Sequence, residues 1–402
     1  MDITKMESKV LNFLREHFDV VMIITVTIVA IMIRFLMLKF RSGDYNLFLE
    51  PWFNEIQEKG LRGVFSSGGI GDYNCPYVIL LWVLTKLPIS PLLSIKAVSI
   101  IFDFGLAIIS MLIVNYILKS RKESNKKVKF LSIITYSIII LLPTVLCNSA
   151  LWAQCDSIYA FFVLFSVYMF LKRKYVWSFV LLGCAFSFKL QSVFILPAYL
   201  IAYFKDRSFS ILNFLLIPMV LVALSFPALV CGLPFFNIFT IYFNQIGEYK
   251  SLTLAMLNVY QLFGGEYSYV SLIGYSVVFL MFIGLIYFVT HYVKKMDNEK
   301  MISILLLSVL ICICFLPSMH ERYGYLANIL AILYFVLGYG SVLVPVTIEI
   351  LALMGYFSFL FGLSMSNYGI LGLLPLGIII YVGSRFVCGD AAKTKRVKSS
   401  VG

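Results

Sequence analysis

The stretch FDVVMIITVTIVAIMIRFLML, residues 18–38, decides the class of this protein. Its only charged residues are Asp19 and Arg34. A run of about 20 mostly apolar residues is long enough to cross the ~30 Å hydrocarbon core of a bilayer. The run is too long, and too unlike a cleavage site, for a removed signal peptide, so we interpret it as a signal anchor.

Similar apolar segments recur along the whole chain. With 402 residues, 61% hydrophobic and 13% charged, the composition excludes an ordinary soluble globular protein. Backbone groups in lipid must be satisfied internally, so we expect helices. The sequence predicts an all-α polytopic membrane protein with about twelve transmembrane helices, within a range of about ten to thirteen. The predicted spans are 18–38, 94–118, 130–149, 157–171, 175–188, 192–204, 209–230, 268–293, 301–317, 324–340, 346–364 and 369–387.

Basic residues set the predicted topology. Lysine and arginine cluster in short segments between spans, most densely at 119–129, as the positive-inside rule expects of cytoplasmic loops. The formal charge of +12 therefore indicates orientation rather than nucleic-acid binding. The amino terminus, 1–17, and the basic tail, 388–402, are then cytoplasmic. The predicted external segments are 39–92, 150–156, around 189–191, 231–267, 318–323 and 365–368.

One short apolar segment, 76–92, carries Lys86, Pro88 and Pro91. Counting it as a span would place the most basic loop outside, so we predict an interfacial helix there. The predicted organisation is an external catalytic loop with juxtamembrane helices, 39–92, followed by a transmembrane bundle, 93–387, that includes the external loop 231–267.

The tetrapeptide Gly-Asp-Tyr-Asn occurs twice in the first external loop, at 43–46 and 71–74. Asp44 follows the first span closely, where a carboxylate could act as general base towards a hydroxyl group. The alternative is that Asp44 only caps a helix. Asp72 could bind substrate hydroxyls, together with the adjoining Tyr73 and Asn74, or could simply form a turn.

A second polar constellation joins two spans at Trp152, Gln154 and Asp156. An exposed aromatic ring beside amide and carboxylate groups is typical of carbohydrate contact. The alternative is an interfacial tryptophan with a helix cap. Further along, Lys189 and Gln191 stand at the outer end of a span, where the lysine could also snorkel to the interface.

The late motif 317–323 reads Pro-Ser-Met-His-Glu-Arg-Tyr. Arg322 offers planar donors suited to a phosphate, and His320 can donate to a phosphate or shuttle a proton. The alternative is a local ion pair between Glu321 and Arg322. Asp103, inside a span, is expected to pair internally with Arg34.

Taken in order, these motifs resemble the C-type glycosyltransferases (GT-C), membrane enzymes that use polyprenyl-phosphate sugars. The closest branch looks like bacterial proteins related to GPI-anchor mannosyltransferases, over roughly residues 20–330. The resemblance implies a GT-C fold in a bacterial plasma membrane. It also implies an inverting hexosyl transfer at the outer face, for example of mannose or glucose, to a cell-envelope glycan or a lipid-linked acceptor.

The resemblance also implies roles for single residues. Asp44 becomes the catalytic base. The donor phosphate is expected to contact His320, Arg322, Lys189 and Gln191. The acceptor or sugar is expected to contact Glu50, Asp72, Tyr73, Asn74, Trp152, Gln154 and Asp156. No cofactor is certain, since a divalent cation could accompany the phosphate but no ligand set is defined.

Two other functions fit the composition. A transporter or flippase for lipid-linked saccharides would place ionisable residues near the bilayer midplane, whereas here the polar groups crowd at one face. A polysaccharide polymerase would be expected to carry a long late external loop rich in arginine, and 231–267 contains no arginine. The partners expected are therefore a lipid-linked sugar, a glycan acceptor and the bilayer, without nucleic acid.

Overall fold

A computed structural model of the protein describes residues 3–363 and 369–399. The predicted external segment 365–368 lies outside these residues. Within them the regular secondary structure is helical apart from one pair of two-residue strands. The helices are α1 Ile3–Glu16, α2 Phe18–Met37, α3 Glu50–Ser66, α4 Cys75–Leu84, α5 Pro91–Ser120, α6 Asn125–Leu141, α7 Pro143–Leu146, α8 Asp156–Leu171, α9 Tyr175–Phe188, α10 Leu196–Asp206, α11 Leu216–Leu224, α12 Phe226–Val230, α13 Asn237–Glu248, α14 Tyr267–Tyr292, α15 Asn298–Phe315, α16 Tyr325–Val336, α17 Leu343–Phe361 and α18 Leu374–Ser399.

Six described helices are long and apolar enough to cross a membrane. They are Phe18–Met37, Pro91–Ser120, Tyr267–Tyr292, Asn298–Phe315, Leu343–Phe361 and Gly369–Val387. A bent pair, Asn125–Leu141 with Pro143–Leu151, raises the number to seven if it counts as one span. The described residues thus form an all-α protein with the helices of a multi-pass membrane protein. The total of twelve spans stays a prediction.

Several predicted spans are helical but interrupted. The segment 130–149 bends by 45° where Pro143 follows α6, because proline cannot donate the backbone hydrogen bond that would continue the helix. The segment 192–204 starts inside a 3₁₀ turn, Leu190–Ile195, and continues as α10. The segment 209–230 contains a 3₁₀ turn, Ile211–Leu215, and then α11 and α12.

The expected single interfacial helix at 76–92 is wrong in its extent. The structure has a short helix, α4, that ends at Leu84, and Pro91 already belongs to the long helix α5. Both helices begin with a polar cap followed by proline. The side chain of Asn74 accepts from the Cys75 amide before α4, and that of Ser90 accepts from the Leu93 amide before α5.

The segment between α2 and α5 has a hydrophobic core of its own. Tyr45, Phe53 and Ile56 pack with Val78 and Leu81 of α4. Residues of α11 to α13 join the same cluster, including Leu221, Ala228, Ile238 and Tyr242. A larger cluster fills the bundle around α15 and α16, whose side chains are almost all buried. This segment is therefore a packed unit on the bundle, and it contains the helices α3 and α4. Their juxtamembrane position stays a prediction.

Candidate active site

A cavity of about 560 Å³ lies where the segment between α2 and α5 meets the loop that carries the motif 317–323. Its wall brings together parts of the chain that are far apart in sequence. It is lined by Asp44, Phe48, Leu49, Trp52, Asp72, Tyr73, Gln154, Phe188, Lys189, Leu190, Gln191, Tyr242, Gln245, Glu248, Tyr249, Thr253, Leu254, Ala255, His320, Glu321, Arg322, Tyr323 and Phe359. A cavity of this size, with charged and aromatic side chains in its wall, can hold a sugar-sized ligand.

Asp44 enters the cavity from the turn after α2. The chain forms a π-helical turn, Tyr45–Leu49, and Asp44 already has helical backbone angles. Its side chain makes no capping hydrogen bond, so the capping alternative is wrong. The hydroxyl of Ser42 accepts from the Tyr45 amide at 3.2 Å instead, and donates to the Trp152 carbonyl at 3.0 Å. Because Ser42 makes this hydrogen bond, the Asp44 carboxylate is not used as a helix cap and can face the cavity.

Three donors surround one oxygen of that carboxylate. Trp152 Nε1 and Gln154 Nε2 each donate to Asp44 Oδ2 at 2.9 Å. Arg322 Nη1 lies 3.6 Å from the same oxygen. No donor among the described residues contacts Asp44 Oδ1. The carboxylate is therefore held in one orientation while its second oxygen stays available to a ligand.

The expectation that Trp152 is an exposed, sugar-stacking ring is wrong. Trp152 is fully buried and does not line the cavity. Its ring stacks on Phe359, with centroids 5.0 Å apart, and meets Tyr356 edge-on. Burial follows from the packing of 147–152 against α17. Its one polar atom points to Asp44, so Trp152 positions the carboxylate.

Asp156 and Lys189 form a buried ion pair. Asn148 donates to the second oxygen of Asp156 at 2.8 Å, which satisfies the carboxylate. Asp156 does not line the cavity, in contrast to its expected role in sugar binding. Lys189 does line it, with 10% of its side chain exposed, so it does not snorkel. Asp156 thus offsets much of the cost of placing a lysine there.

The late loop is fixed by backbone pairing. Strand β1, Thr253–Leu254, lies parallel to β2, Met319–His320. Just before β2, Ser318 adopts a positive φ of 59°, and its hydroxyl contacts the carbonyls of Tyr249 and Ser251 at 2.8 and 3.0 Å. The four residues that follow form a 3₁₀ turn, Glu321–Gly324, on the cavity wall.

Arg322 has two carboxylate neighbours. The expected local pair is present, with Nη1 3.3 Å from Glu321 Oε1, but the same nitrogen also faces Asp44. Burial lowers the pKa of Arg322, but Glu321, Tyr323, Tyr73 and Asp156 together outweigh burial, so the pKa is raised above its ordinary value. The guanidinium group therefore stays charged. His320 lies beside it, with its ring 5.1 Å from those of Tyr249 and Tyr323.

Several buried polar atoms on the cavity residues make no hydrogen bond among the described residues. They are Gln191 Oε1, His320 Nδ1, Glu321 Oε2 and Arg322 Nε. His320 Nδ1 and Glu321 Oε2 lie 3.7 Å apart and face each other. Buried polar atoms are normally hydrogen-bonded, so the unpaired Gln191 Oε1 and Arg322 Nε require an explanation such as water or a ligand. These two atoms indicate that the wall receives polar groups from outside the protein.

The residues predicted from the first segment divide into two groups. Tyr73 and Asp72 line the cavity, and the Tyr73 hydroxyl donates to Gln154 Oε1 at 3.4 Å. Asn74 and Glu50 do not line it. Asn74 is buried, with its amide capping α4 and donating to the Ile238 carbonyl at 3.1 Å. Glu50 pairs with Arg41 and accepts from the Tyr45 hydroxyl. Neither placement gives these two side chains a contact with a ligand in the cavity.

The sequence did not single out several lining residues. Trp52 comes from α3, Tyr242 and Glu248 from α13, Tyr249 from the position just after α13, and Phe359 from α17. In the predicted external segment 231–267, the polar residues around Glu248 were the available signal. Burial raises the pKa of Glu248, and the nearby charge of Asp72 raises it further. Burial likewise raises the pKa of Asp72.

Among the described residues, no three His, Cys, Asp or Glu side chains lie close enough together to hold a metal ion. The arrangement instead combines an oriented carboxylate with three cationic or potentially cationic side chains. No protein-family profile matches this sequence, and a search of curated proteins finds no significant match.

Proposed function

We propose that the protein is a GT-C-type glycosyltransferase that moves a sugar from a polyprenyl-phosphate carrier to an acceptor hydroxyl. The observation that carries this proposal is the placement of Asp44, Arg322, Lys189 and His320 on one cavity. An oriented carboxylate and a set of cations are the two elements that transfer from a phosphate leaving group requires.

Asp44 is the proposed general base. The acceptor hydroxyl would contact Oδ1, the oxygen that no described residue contacts. As its proton passes to the carboxylate, the acceptor oxygen forms a bond to the anomeric carbon. The bond from that carbon to the phosphate oxygen breaks, and its electron pair leaves with the phosphate. This single displacement inverts the configuration of the sugar.

The cationic residues would hold the leaving phosphate. Arg322 is the strongest candidate, because its guanidinium group can bind a phosphate through two parallel hydrogen bonds. Its Nε has no partner among the described residues, which leaves a donor for this purpose. Lys189 adds a fixed charge, and Gln191 and His320 complete a wall of polar groups. A phosphate on Arg322 would compete with Asp44 for the guanidinium.

The cavity is also placed as a lipid-linked donor requires. Asp44 follows the end of α2 by a few residues, so the cavity adjoins one end of a membrane-length helix. The exposed apolar side chains of Leu47 and Phe48 lie beside it. Together with the basic segments, this supports an active site on the external face of a bacterial plasma membrane, with both termini cytoplasmic and a cell-envelope glycan or lipid-linked acceptor.

The test is transfer from a panel of radiolabelled undecaprenyl-phosphate sugars to crude cell-envelope acceptor by the purified protein. We expect label to leave one lipid and appear in the acceptor. If reconstituted vesicles carried a lipid-linked saccharide across the bilayer while no donor released its sugar, the protein would be a transporter and the proposal would be rejected.

A further inference from the structure

A second cavity, of about 240 Å³, lies behind Tyr73. It is formed between the glycine-rich turn 68–71 and helix α13. Tyr73 lines both cavities, so its ring is the wall between them. The two are also divided by a hydrogen bond from Gln245 to the Asp72 carbonyl. On α13, Asn244 lines the second cavity and its neighbour Gln245 lines the first.

The second cavity differs from the first in charge. None of its described lining residues carries a formal charge. Its polar side chains are those of Tyr73, Asn74, Asn237, Thr240 and Asn244. Tyr73 and Asn74 already hydrogen-bond to protein atoms, which leaves the amides of Asn237 and Asn244 and the hydroxyl of Thr240. The two amides make no side-chain hydrogen bond with any described residue, and the Thr240 hydroxyl has only a long contact of 3.4 Å to the Asn237 carbonyl. These groups are therefore available to an uncharged ligand.

The turn supplies further acceptors. The amides of Gly68 and Gly69 donate to the carbonyls of Phe65 and Val64, at 3.2 and 3.0 Å. In the described part of the chain, no hydrogen bond reaches the carbonyl oxygens of the glycines in this turn. Gly71 keeps the turn against α3, because a Cβ atom there would lie 2.6 Å from the Trp52 ring. The shape of this turn depends on glycine.

The remaining lining is apolar. Phe65, Cys75, Val78 and Leu233 are buried around the cavity. An apolar lining with uncharged hydrogen-bonding groups matches a pyranose, which has apolar C–H faces and a rim of hydroxyl groups. A charged ligand would lose water without gaining a partner of opposite charge, which is costly.

We propose that the second cavity binds a neutral saccharide unit. The assignment of this unit to the acceptor rests on the proposed function. Side chains link the second cavity to the proposed base, because Tyr73 contacts Gln154 and Gln154 contacts Asp44. The protein would then select a neutral glycan acceptor over a uronic-acid one.

The test is saturation-transfer NMR on the full-length protein in lipid nanodiscs, which avoids the sugar groups of maltoside detergents. The ligands are methyl α-mannopyranoside, methyl β-glucopyranoside and the charged methyl glucuronoside. We expect transfer to one or both neutral glycosides and none to the uronoside. In Asn244→Leu and in Thr240→Val, transfer should fall by about threefold to tenfold, the effect of losing one neutral hydrogen bond.

Asn54→Leu is the matched control, because Asn54 is exposed on α3 and lines neither cavity. Asn244 and Thr240 are exposed too, so their replacement removes no buried contact. Equal transfer to all variants, or to the uronoside, would overturn the proposal. The measurement needs no turnover. Saccharide binding that these two variants lose would therefore support the site even if every sugar donor failed in the transfer assay.

Discussion

At the scale of single residues, the account depends on how the Asp44 carboxylate is held. Two side chains donate to the same oxygen, and Arg322 faces it from the late loop. Hydrogen bonds to a charged group contribute about 1.5–3 kcal/mol each, so the pair from Trp152 and Gln154 fixes the orientation strongly. A base that is held before the substrate arrives needs no reorganisation during the reaction.

Replacing Trp152 by phenylalanine should remove one of these bonds while keeping an aromatic ring. We expect kcat to fall by about tenfold to a hundredfold, with KM for the donor unchanged, because a bond of ~1.5–3 kcal/mol orients the base and not the donor. Steady-state transfer kinetics check this. Trp177→Phe, at a site 63% exposed, is the control. A large rise in donor KM with unchanged kcat would contradict the positioning role.

The raised pKa values of Asp72 and Glu248 predict a pH effect on donor binding. Each carboxyl stays neutral to a higher pH than an ordinary carboxyl, and becomes charged as the pH rises through its raised pKa. A phosphodiester donor is anionic throughout, so its affinity should weaken above the ordinary carboxyl range of about pH 4. We expect a loss of about threefold to tenfold, from repulsion at partly screened distances.

Isothermal titration calorimetry with an undecaprenyl-phosphate sugar between pH 4 and 8 measures the donor affinity. A tenfold loss of affinity corresponds to about one pKa unit. The double variant Asp72→Asn, Glu248→Gln should lose most of this pH dependence, because its two side chains stay uncharged. An unchanged pH dependence in that variant would exclude the two carboxyls as its cause.

The sequence identified the charged residues of the site better than the aromatic ones. Asp44, Lys189, His320 and Arg322 each follow or precede an apolar span, and charges at span ends must lie near one another at a common face. It could not show which way a ring points. The ring of Trp152 is of the type that contacts sugars, but packing against α17 buries it.

At the scale of elements, two polar links fix the parts that carry the site. Arg34 of α2 contacts Asp103 of α5 at 2.9 Å, which confirms that expected pair. Ser149, in the turn before Trp152, donates to the same carboxylate. The segments that lead to Asp44 and to Trp152 therefore share one buried anchor. A buried ion pair of this kind fixes the relative position of the two helices more than it stabilises the fold.

The second link is Lys96, a fully buried lysine of α5. Its amine donates to the carbonyls of Met37, Leu38 and Phe40, at 3.1, 3.2 and 2.7 Å. These carbonyls belong to the end of α2 and the residues just after it, where helical partners are missing. Lys96 thus fixes the chain a few residues before Asp44.

Replacing Lys96 by methionine should destabilise the protein and loosen the site. Leaving buried carbonyls without a donor costs about 1–3 kcal/mol. We expect a lower thermal midpoint and a lower kcat than in Lys39→Met, measured side by side. Lys39 lies in the same turn but is exposed, so it controls for the lost charge. Equal midpoints and rates in the two variants would contradict the anchoring role of Lys96.

The positions of the helices were largely predictable, because apolar runs of membrane length have one stable backbone conformation in lipid. Their interruptions were less so. Pro143 explains the bend there, although the predicted span 130–149 ran through it. The 3₁₀ turn at Leu190–Ile195 depends on neighbours that the sequence alone does not reveal. The same holds for the strand pair that joins Thr253–Leu254 to Met319–His320. Pairing between residues this far apart leaves no periodic pattern in the amino-acid sequence.

At the scale of the whole molecule, the basic segments predict which face carries the cavity. The segment at 119–129 lies at the far end of α5 from the first segment. If the positive-inside rule holds, α3 and the cavity face outwards while this segment faces the cytoplasm. The orientation is what connects the site to an envelope acceptor.

Single-cysteine labelling in intact cells tests this orientation. Gln57, on α3, and Lys126, in the basic segment, are both exposed. With the reactive native cysteines replaced, a membrane-impermeant maleimide should label Gln57→Cys directly and Lys126→Cys only after permeabilisation, because the two residues lie on opposite sides. Labelling of both in intact cells, or the reverse order, would overturn the external assignment.

The most direct test of the central claim is the transfer rate of Asp44→Asn, compared with Asp206→Asn, an exposed aspartate outside the cavity. The amide keeps the shape of the carboxylate but cannot accept the proton, so the rate should fall by about a hundredfold or more, while donor binding persists. Asp206→Asn should match the wild type. A folded Asp44→Asn protein that transferred sugar at the wild-type rate would show that Asp44 is not the base.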